Sequence, residues 1–155
     1  MGSQAEQECH KDGQCRPETF NFLGFTHFVG HSRKGRFMVG HKTEGKRFRK
    51  KLKGLNQRLR ALRVEGDKAM LEYFQHPIRG HIQYFGVSGN SRWVTSYVYL
   101  ATKLLFKWLN RRSQRRSIYG VQFKEFIKQW LPRIRIVHHL YPTPLYRAQT
   151  GSRMG

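Results

Sequence analysis

The stretch Pro77-Ile-Arg-Gly-His-Ile-Gln-Tyr-Phe-Gly-Val-Ser-Gly-Asn90 lies between a basic amphipathic segment and an aromatic-rich segment. Proline fits the first turn of a helix, and glycine relieves close backbone approach. The pattern therefore predicts a short or kinked helix over Pro77–Phe85 and a turn over Gly86–Asn90. Asn90 or Ser91 would then cap the next helix. A plain connector between two packed helices would carry the same features.

The segment upstream of this stretch has the apolar spacing of one long helix. Thr43 suits its N-cap, and Gly66 suits its C′ position. Apolar residues recur at spacings of 4, 3, 4 and 3, which makes one stripe: Phe48, Leu52, Leu55, Leu59 and Leu62. The rest of the surface is positive: Lys46, Arg47, Arg49, Lys50, Lys51, Lys53, Arg58, Arg60 and Arg63. A solvated helix face usually mixes charge signs, so this surface favours an anionic partner.

Two further helices are expected downstream. Asp67 suits the cap of a helix that leads into the opening stretch, and a long helix with a wide apolar face is predicted from Ser91. Four arginines mark the end of that long helix, more than helix capping needs: Arg111, Arg112, Arg115 and Arg116. A short final helix is predicted before Pro132, followed by an extended basic tail.

The amino-terminal third is predicted to contain β-structure. Two apolar runs, 20–29 and 36–39, flank a glycine-bounded turn and predict a β-hairpin. The expected organisation is a polar linker or truncated loop over 1–18, the hairpin over 19–42, a helical bundle over 43–131 and the tail over 132–155. The predicted fold class is therefore mostly α, a small helical bundle preceded by a β-hairpin.

Composition narrows the class of partner. Thirty Lys and Arg against nine Asp and Glu give a formal charge of +21, while 38% apolar residues still allow a core. Such an excess favours a polyanion because each neutralised phosphate releases counterions. Nucleic acid is the leading partner class. An anionic membrane surface is the weaker competitor, because the apolar stripe from Phe48 to Leu62 is better used on a bundle core, and no membrane partner is expected.

The sequence contains few features that indicate a cellular location or a role for its cysteines. The chain has no apolar run long enough to span a bilayer and no apolar secretory core at its amino terminus, so a cytoplasmic protein is expected. Cys9 and Cys15 flank His10, which leaves a disulfide or half of a metal site open, although reduced thiols are favoured. His138 and His139 lie in a basic tail without a neighbouring acid, so no metal site is expected there.

Several separated blocks, taken together, resemble one family. They are Pro17-Glu-Thr-Phe-Asn-Phe-Leu-Gly-Phe-Thr-His27, Ser32-Arg-Lys-Gly35, Arg79-Gly-His81, Tyr84-Phe-Gly86, Gly89-Asn90, Trp108-Leu109, Arg111-Arg-Ser-Gln-Arg-Arg116 and Trp130-Leu-Pro-Arg133. Their order resembles the carboxyl-terminal part of bacterial group II intron-encoded reverse transcriptase/maturases. The resemblance covers about residues 17 to 141.

The resemblance implies two parts. Phe22, Leu23, Gly24 and Phe25 with the following hairpin are similar to the primer-grip region at the edge of the polymerase palm. Residues 43 to about 131 look like the thumb, called domain X in this family. That domain binds intron RNA, helps it fold for splicing and holds the template–primer duplex.

The chain departs from the family where catalysis would occur. Reverse transcription needs acidic side chains that hold two Mg²⁺ ions. The family's Tyr-x-Asp-Asp motif is absent, and the only aspartates are Asp12 and Asp67. No HNH endonuclease follows the thumb-like region. We therefore expect no catalytic residue, metal or cofactor in this chain, although the full-length family uses Mg²⁺.

The leading hypothesis is an RNA-binding maturase/thumb fragment that contacts phosphates of intron RNA or of a template–primer duplex. Its candidate contacts are Lys46, Arg47, Lys50, Lys53, Arg79, His81, Arg111, Arg112, Arg115 and Arg116. Arg79 and His81 are equally suited to contacting an RNA backbone and to helix packing. Two alternatives stay open: the non-catalytic thumb of a split RNA-directed DNA polymerase, partnered by a separate palm and fingers polypeptide, and a non-functional remnant of a truncated intron.

Overall fold

The computed structural model describes residues 19–31, 33–35, 37–112 and 120–139. In these ranges the chain forms strands and then helices: β1 (Phe20–Phe22), β2 (Phe25–His31), β3 (Phe37–Thr43), α1 (Gly45–Leu62), α2 (Asp67–Phe85), α3 (Ser91–Arg112) and α4 (Gly120–Lys128). The predicted fold class, a mostly helical bundle preceded by a β-hairpin, is confirmed. Among these helices, none combines the length and the apolar character needed to cross a membrane.

The sheet is an antiparallel meander with the order β1-β2-β3, one strand more than predicted. The predicted first strand divides because Phe22 pairs with Phe25 across a two-residue turn. Both turn residues have positive φ, +51° at Leu23 and +84° at Gly24. Positive φ at both central positions is type I′ hairpin geometry, whose twist matches that of the strands. The sequence pattern does not predict this turn, because a bulky residue such as leucine rarely adopts positive φ.

The apolar stripe predicted for α1 faces the interior. Phe48, Leu55, Leu59 and Leu62 are buried, and Leu52 packs partly buried against the same core. Buried residues of the next two helices complete this core: Met70, Leu71, Phe74, Ile78, Ile82, Phe85, Val94, Tyr97, Val98, Ala101, Leu105, Trp108 and Leu109. Phe123 and Ile127 of α4 join it at one end. Burying each large apolar side chain contributes about 1.5–3 kcal/mol, so this core holds the helices together.

The predicted ends of α1 are wrong by a few residues. Thr43 is the last residue of β3, and α1 begins at Gly45 with Glu44 at its N-cap and no side-chain capping bond. At the other end the C-cap is Arg63, whereas a C′ position at Gly66 would have made Glu65 the C-cap.

The start of α2 is also shifted from the prediction. Gly66 occupies the N-cap position with φ +128°, a conformation that L side chains rarely adopt. Asp67, predicted as the cap, is instead the first helical residue, where a negative charge is favourable.

The helix predicted to begin at Pro77 is the second half of α2, which runs without a break from Asp67 to Phe85. Proline removes one intrahelical hydrogen bond, and it usually ends or kinks a helix. Here Phe74, Ile78 and Ile82 are all buried on one face around the proline. This buried face explains why the helix continues where the local sequence predicts a new start.

The turn predicted over Gly86–Asn90 is confirmed, and Asn90, its last residue, is fully buried. The Asn90 side chain does not cap α3. Its amide nitrogen donates to the Phe85 carbonyl at 2.8 Å and to the Thr43 hydroxyl at 2.9 Å, and its oxygen accepts from the Thr43 backbone N–H at 2.9 Å. The backbone carbonyl of Asn90 accepts from Val94 N–H at 3.2 Å, which starts α3. One residue therefore joins the sheet, α2 and α3.

The tail is extended over residues 132–139, as predicted, and it docks on the same corner. Val137 N–H donates to the Gly86 carbonyl at 2.6 Å, and Ser88 N–H donates to the His138 carbonyl at 3.1 Å. A Cβ at Gly86 would lie 2.9 Å from the Arg135 carbonyl oxygen. Glycine is therefore required at position 86 for this close approach.

Candidate nucleic-acid interface

The predicted cations of α1 form one solvent-facing surface. Lys46, Lys50 and Lys53 are all exposed, and their i, i+4, i+7 spacing places them on one side of the helix. At 1.5 Å per residue, this row is about 10 Å long. Every other lysine and arginine of α1 is exposed as well. In the described part of the chain, the only salt bridge that joins one of these cations to an acid is between Arg47 and Glu44, at 3.4 Å.

Arg47 differs from the three lysines because it also packs against the sheet. A Cβ on Gly24 would lie 3.2 Å from Arg47 Cδ, so the arginine stem crosses the β1–β2 turn at a residue without a side chain. Lys51, which the sequence did not single out as a contact, places its Nζ 4.4 Å from the centre of the Phe85 ring. Burial lowers the pKa of Lys51, and the nearby Arg47 charge lowers it further. These two cations help to hold α1 on the aromatic corner.

The primer-grip-like residues form the tip of the first hairpin. Phe22 and Leu23 are exposed, whereas Phe25 packs against Tyr84 and Phe85 with ring centres 6.0 and 5.1 Å apart. The Tyr84 hydroxyl donates to the Leu23 carbonyl at 2.7 Å, which fixes the turn on α2. Leucine in a left-handed conformation is strained, and such strain is concentrated at functional sites.

An apolar groove of about 690 Å³ separates this tip from α2 and the tail. It is lined by Phe22, Leu23, Phe25, His27, His41, Gly80, Gln83, Tyr84, Val87 and His138. His27 lies between Phe20 and His41, with ring centres 4.7 Å from each. Burial lowers the pKa of His41, and the adjacent His27 adds to this effect. The groove therefore presents mainly aromatic and aliphatic surface, and among the described residues its lining contains no Lys, Arg, Asp or Glu.

Arg79 and His81, two residues apart in the opening motif, have opposite environments. Arg79 is exposed and lines a groove of about 510 Å³ together with Arg133 and Arg135. His81 is 1% exposed and stacks between Phe85 and Tyr97, with ring centres 4.7 and 3.7 Å away. This burial corrects the inclusion of His81 among the RNA contacts, because its ring lies in the core.

His81 is also electrostatically unusual. Burial, and then the Lys51 charge, lower its pKa to about 3, so the ring is neutral at physiological pH. Within the described residues, neither ring nitrogen has a hydrogen-bond partner. A buried polar atom without a partner costs free energy, so stacking on two aromatic rings offsets a real penalty.

The arginine cluster predicted at the end of α3 is only partly described. Arg111 is exposed, and its guanidinium carbon lies 5.4 Å from the centre of the Trp108 ring. Arg112 is the final residue of α3. Arg115 and Arg116 lie outside the described residues, so their predicted contacts have no structural counterpart here. Residues 1–18, with both cysteines, lie outside them too.

The described ranges contain no group of three or more His, Cys, Asp or Glu side chains placed to hold a metal ion. Their chemistry is instead that of exposed cations and aromatic rings. None of the protein-family models, curated proteins or solved structures compared with the chain matches it significantly. Any function must therefore be argued from this geometry together with the sequence motifs.

Proposed function

We propose that this chain is an RNA-binding thumb/maturase fragment that resembles those of group II intron reverse transcriptases. It would act in the cytoplasm on intron RNA or on a template–primer duplex. The observation that carries the proposal is the outer surface of α1, where exposed cations lie in rows without interleaved acids. The charge of +21 for the whole chain supports a polyanionic partner.

Phosphate contacts explain this surface better than base contacts do. An A-form RNA helix has a deep, narrow major groove that side chains cannot read, so duplex RNA is recognised by shape and by its backbone. Lysines on long, flexible stems suit such contacts because they act as point charges. Because α1 is packed against α2 and α3 through a shared core, it would hold the row of lysines in a fixed direction along the RNA.

The test is a triple variant, Lys46→Gln, Lys50→Gln and Lys53→Gln, assayed for binding to a structured intron RNA by fluorescence anisotropy across a salt series. The slope of log K against log salt is negative, and each lost phosphate contact reduces its magnitude by about 0.7–0.9, so the slope should become less steep by about 2–3. The matched control is Lys68→Gln, Lys103→Gln and Lys128→Gln, which removes the same charge from other elements. An equal effect in both variants would refute the assigned surface.

We expect no polymerisation by the chain alone. The sequence has no pair of neighbouring aspartates to hold catalytic Mg²⁺. Purified protein supplied with primer, RNA template, Mg²⁺ and deoxynucleotides should give no extension product above a no-protein control. Detectable extension would contradict this expectation.

One observation favours the alternative of a split polymerase. The sheet exposes large aromatic residues, with Phe20 59%, Phe22 60% and Phe37 78% accessible. Exposed apolar patches of this kind mark interaction surfaces, and a separately encoded palm polypeptide would cover this one. A neighbouring reading frame with Tyr-x-Asp-Asp should then yield a product that co-purifies with this chain and extends a primer only in the mixture.

A further inference from the structure

Three cations from two different helices converge on the Trp108 ring. The guanidinium carbons of Arg63 and Arg111 lie 5.9 and 5.4 Å from the ring centre, and Lys107 Nζ lies 5.2 Å from it. Since each lies within 6 Å of the same point, no two are more than about 12 Å apart. Cation–π attraction to the ring is one source of their placement.

These cations border a groove of about 420 Å³ between the carboxyl-terminal parts of α1 and α3, here called the Trp108 groove. Arg60 and Asn56 also line it. The indole N–H of Trp108 donates to Asn56 Oδ1 at 2.8 Å, which fixes the ring at the base of the groove. The groove therefore has a fixed aromatic wall with cations along its rim.

Helix capping does not account for this arrangement. Cations are favoured in the last turn of a helix, which explains one cation on each helix. The Trp108 groove instead has four: Arg60, Arg63, Lys107 and Arg111. Among the described residues, the salt bridges involve Glu44, Glu72 and Glu125, none of which pairs with any of the four. Within the part of the chain that the structure describes, these four cations have no acidic partner, and they repel one another unless an anion joins them.

The groove also continues the row on α1. Lys46, Lys50 and Lys53 are followed at helical spacing by Gln57 and Arg60, and both of these residues line the groove. From Lys46 to Arg60 this row spans about 21 Å along the helix axis. A phosphate backbone lying along α1 would therefore reach the Trp108 groove at its far end.

We propose that the Trp108 groove is a phosphate-binding site that takes backbone phosphates of RNA at the end of the α1 row. Arginine forks match phosphate oxygens in pairs, so Arg63 and Arg111, both close to the Trp108 ring, would bind a phosphate in the groove. The identity of the polymer as RNA rests on the proposed function, whereas the phosphate chemistry of the groove does not.

The first experiment observes the groove directly in the wild-type chain. In ¹⁵N-labelled protein, the indole N–H signal of Trp108 is followed by NMR during titration with an RNA hairpin, with pyrophosphate and with a poly-glutamate peptide. We expect the signal to move with the RNA and with pyrophosphate, while the indole signal of Trp130 serves as an internal reference. Movement with poly-glutamate but not with pyrophosphate would overturn the proposal in favour of an acidic protein partner.

The second experiment removes charge from the groove. Arg63→Gln with Arg111→Gln should make the negative slope of log K against log salt for the RNA hairpin less steep by about 1.4–1.8, because two phosphate contacts are lost. Lys68→Gln with Lys128→Gln is the matched control, since both of those lysines already pair with glutamates. Circular dichroism establishes that each variant is folded.

The two proposals fail in different ways. Unchanged RNA binding and salt slope in the groove variant, with a stationary Trp108 signal, would overturn the groove and leave the α1 surface standing. A wild-type chain that binds no RNA but whose Trp108 signal moves with pyrophosphate would support the groove and refute the proposed function.

Discussion

Replacing Asn90 by alanine should destabilise the protein more than any other single polar substitution at this corner. Asn90 is fully buried, and its amide makes hydrogen bonds to Thr43 N–H, to the Thr43 hydroxyl and to the Phe85 carbonyl, at 2.8–2.9 Å. Alanine leaves those buried groups without a partner, and each such group costs about 1–3 kcal/mol. Because some of the groups can relax towards each other, we expect a total loss of about 3–5 kcal/mol.

Urea unfolding followed by circular dichroism at 222 nm measures this loss. Small domains have urea m-values of about 1–3 kcal/mol/M, so the midpoint should fall by roughly 2 M with an unchanged slope. Asn21→Ala is the matched control, because Asn21 accepts one exposed hydrogen bond from Thr26 and should cost less than about 0.5 kcal/mol. A loss below about 1 kcal/mol for Asn90→Ala would refute its role in joining the sheet to both helices.

Three further predictions concern residues of α2 and of the adjoining turn. The pKa of His81 is lowered to about 3, so the unfolded chain binds a proton between about pH 6.5 and 3 that the folded chain does not. The contribution of His81 to the unfolding free energy should therefore be fully present above about pH 6.5 and be lost as the pH drops, by up to about 1.4 kcal/mol per pH unit. Urea unfolding of His81→Phe should lack this pH dependence between about pH 6 and 4.5. The control His76→Gln, at an exposed position, should retain it. Gly80→Ala should raise the unfolding free energy by about 0.5–1 kcal/mol, because nothing lies within 4 Å of the added Cβ and glycine is a poor helix former; a destabilised variant would contradict this. Gly86→Ala should instead destabilise the protein, because its Cβ would clash with the Ile82 carbonyl of α2 and meet the Arg135 carbonyl of the tail. The second contact should also increase hydrogen exchange at Val137 N–H, and unchanged exchange would contradict the docked tail.

Features that depend on spacing along one segment could be predicted from the sequence. The stripe Phe48 to Leu62 and its basic opposite face follow from helical periodicity, and the structure has both. The long helix from Ser91 and the extended tail after Pro132 also follow from local pattern.

Features that depend on how segments meet could not be predicted. Thr43 looks like a helix cap, but its partner Asn90 lies 47 residues away, so the bond between them leaves no local signal. Arg79 and His81 lie two residues apart in one motif, and helical geometry at that spacing turns one to solvent and the other into the core. Arg63 and Lys107 become neighbours only because α1 and α3 pack together around Trp108.

The turn at Leu23 and Gly24 could not be predicted from the sequence for a different reason. Apolar residues on both sides of the turn continue a β pattern, and only the glycine marks a break. The conformation of Leu23 is stabilised from outside the turn, through the hydrogen bond from Tyr84.

The central claim is that this chain binds RNA through its phosphates, and one equilibrium measurement tests it most directly. A labelled, structured group II intron RNA and a DNA duplex of equal length are each titrated with the protein between about 50 and 200 mM salt. Tighter binding of the RNA is predicted, with log K falling linearly as log salt rises and a slope of about −3 or steeper, as expected for at least four phosphate contacts. An affinity for the RNA that does not change with salt, or that is no greater than the affinity for the DNA, would contradict the claim.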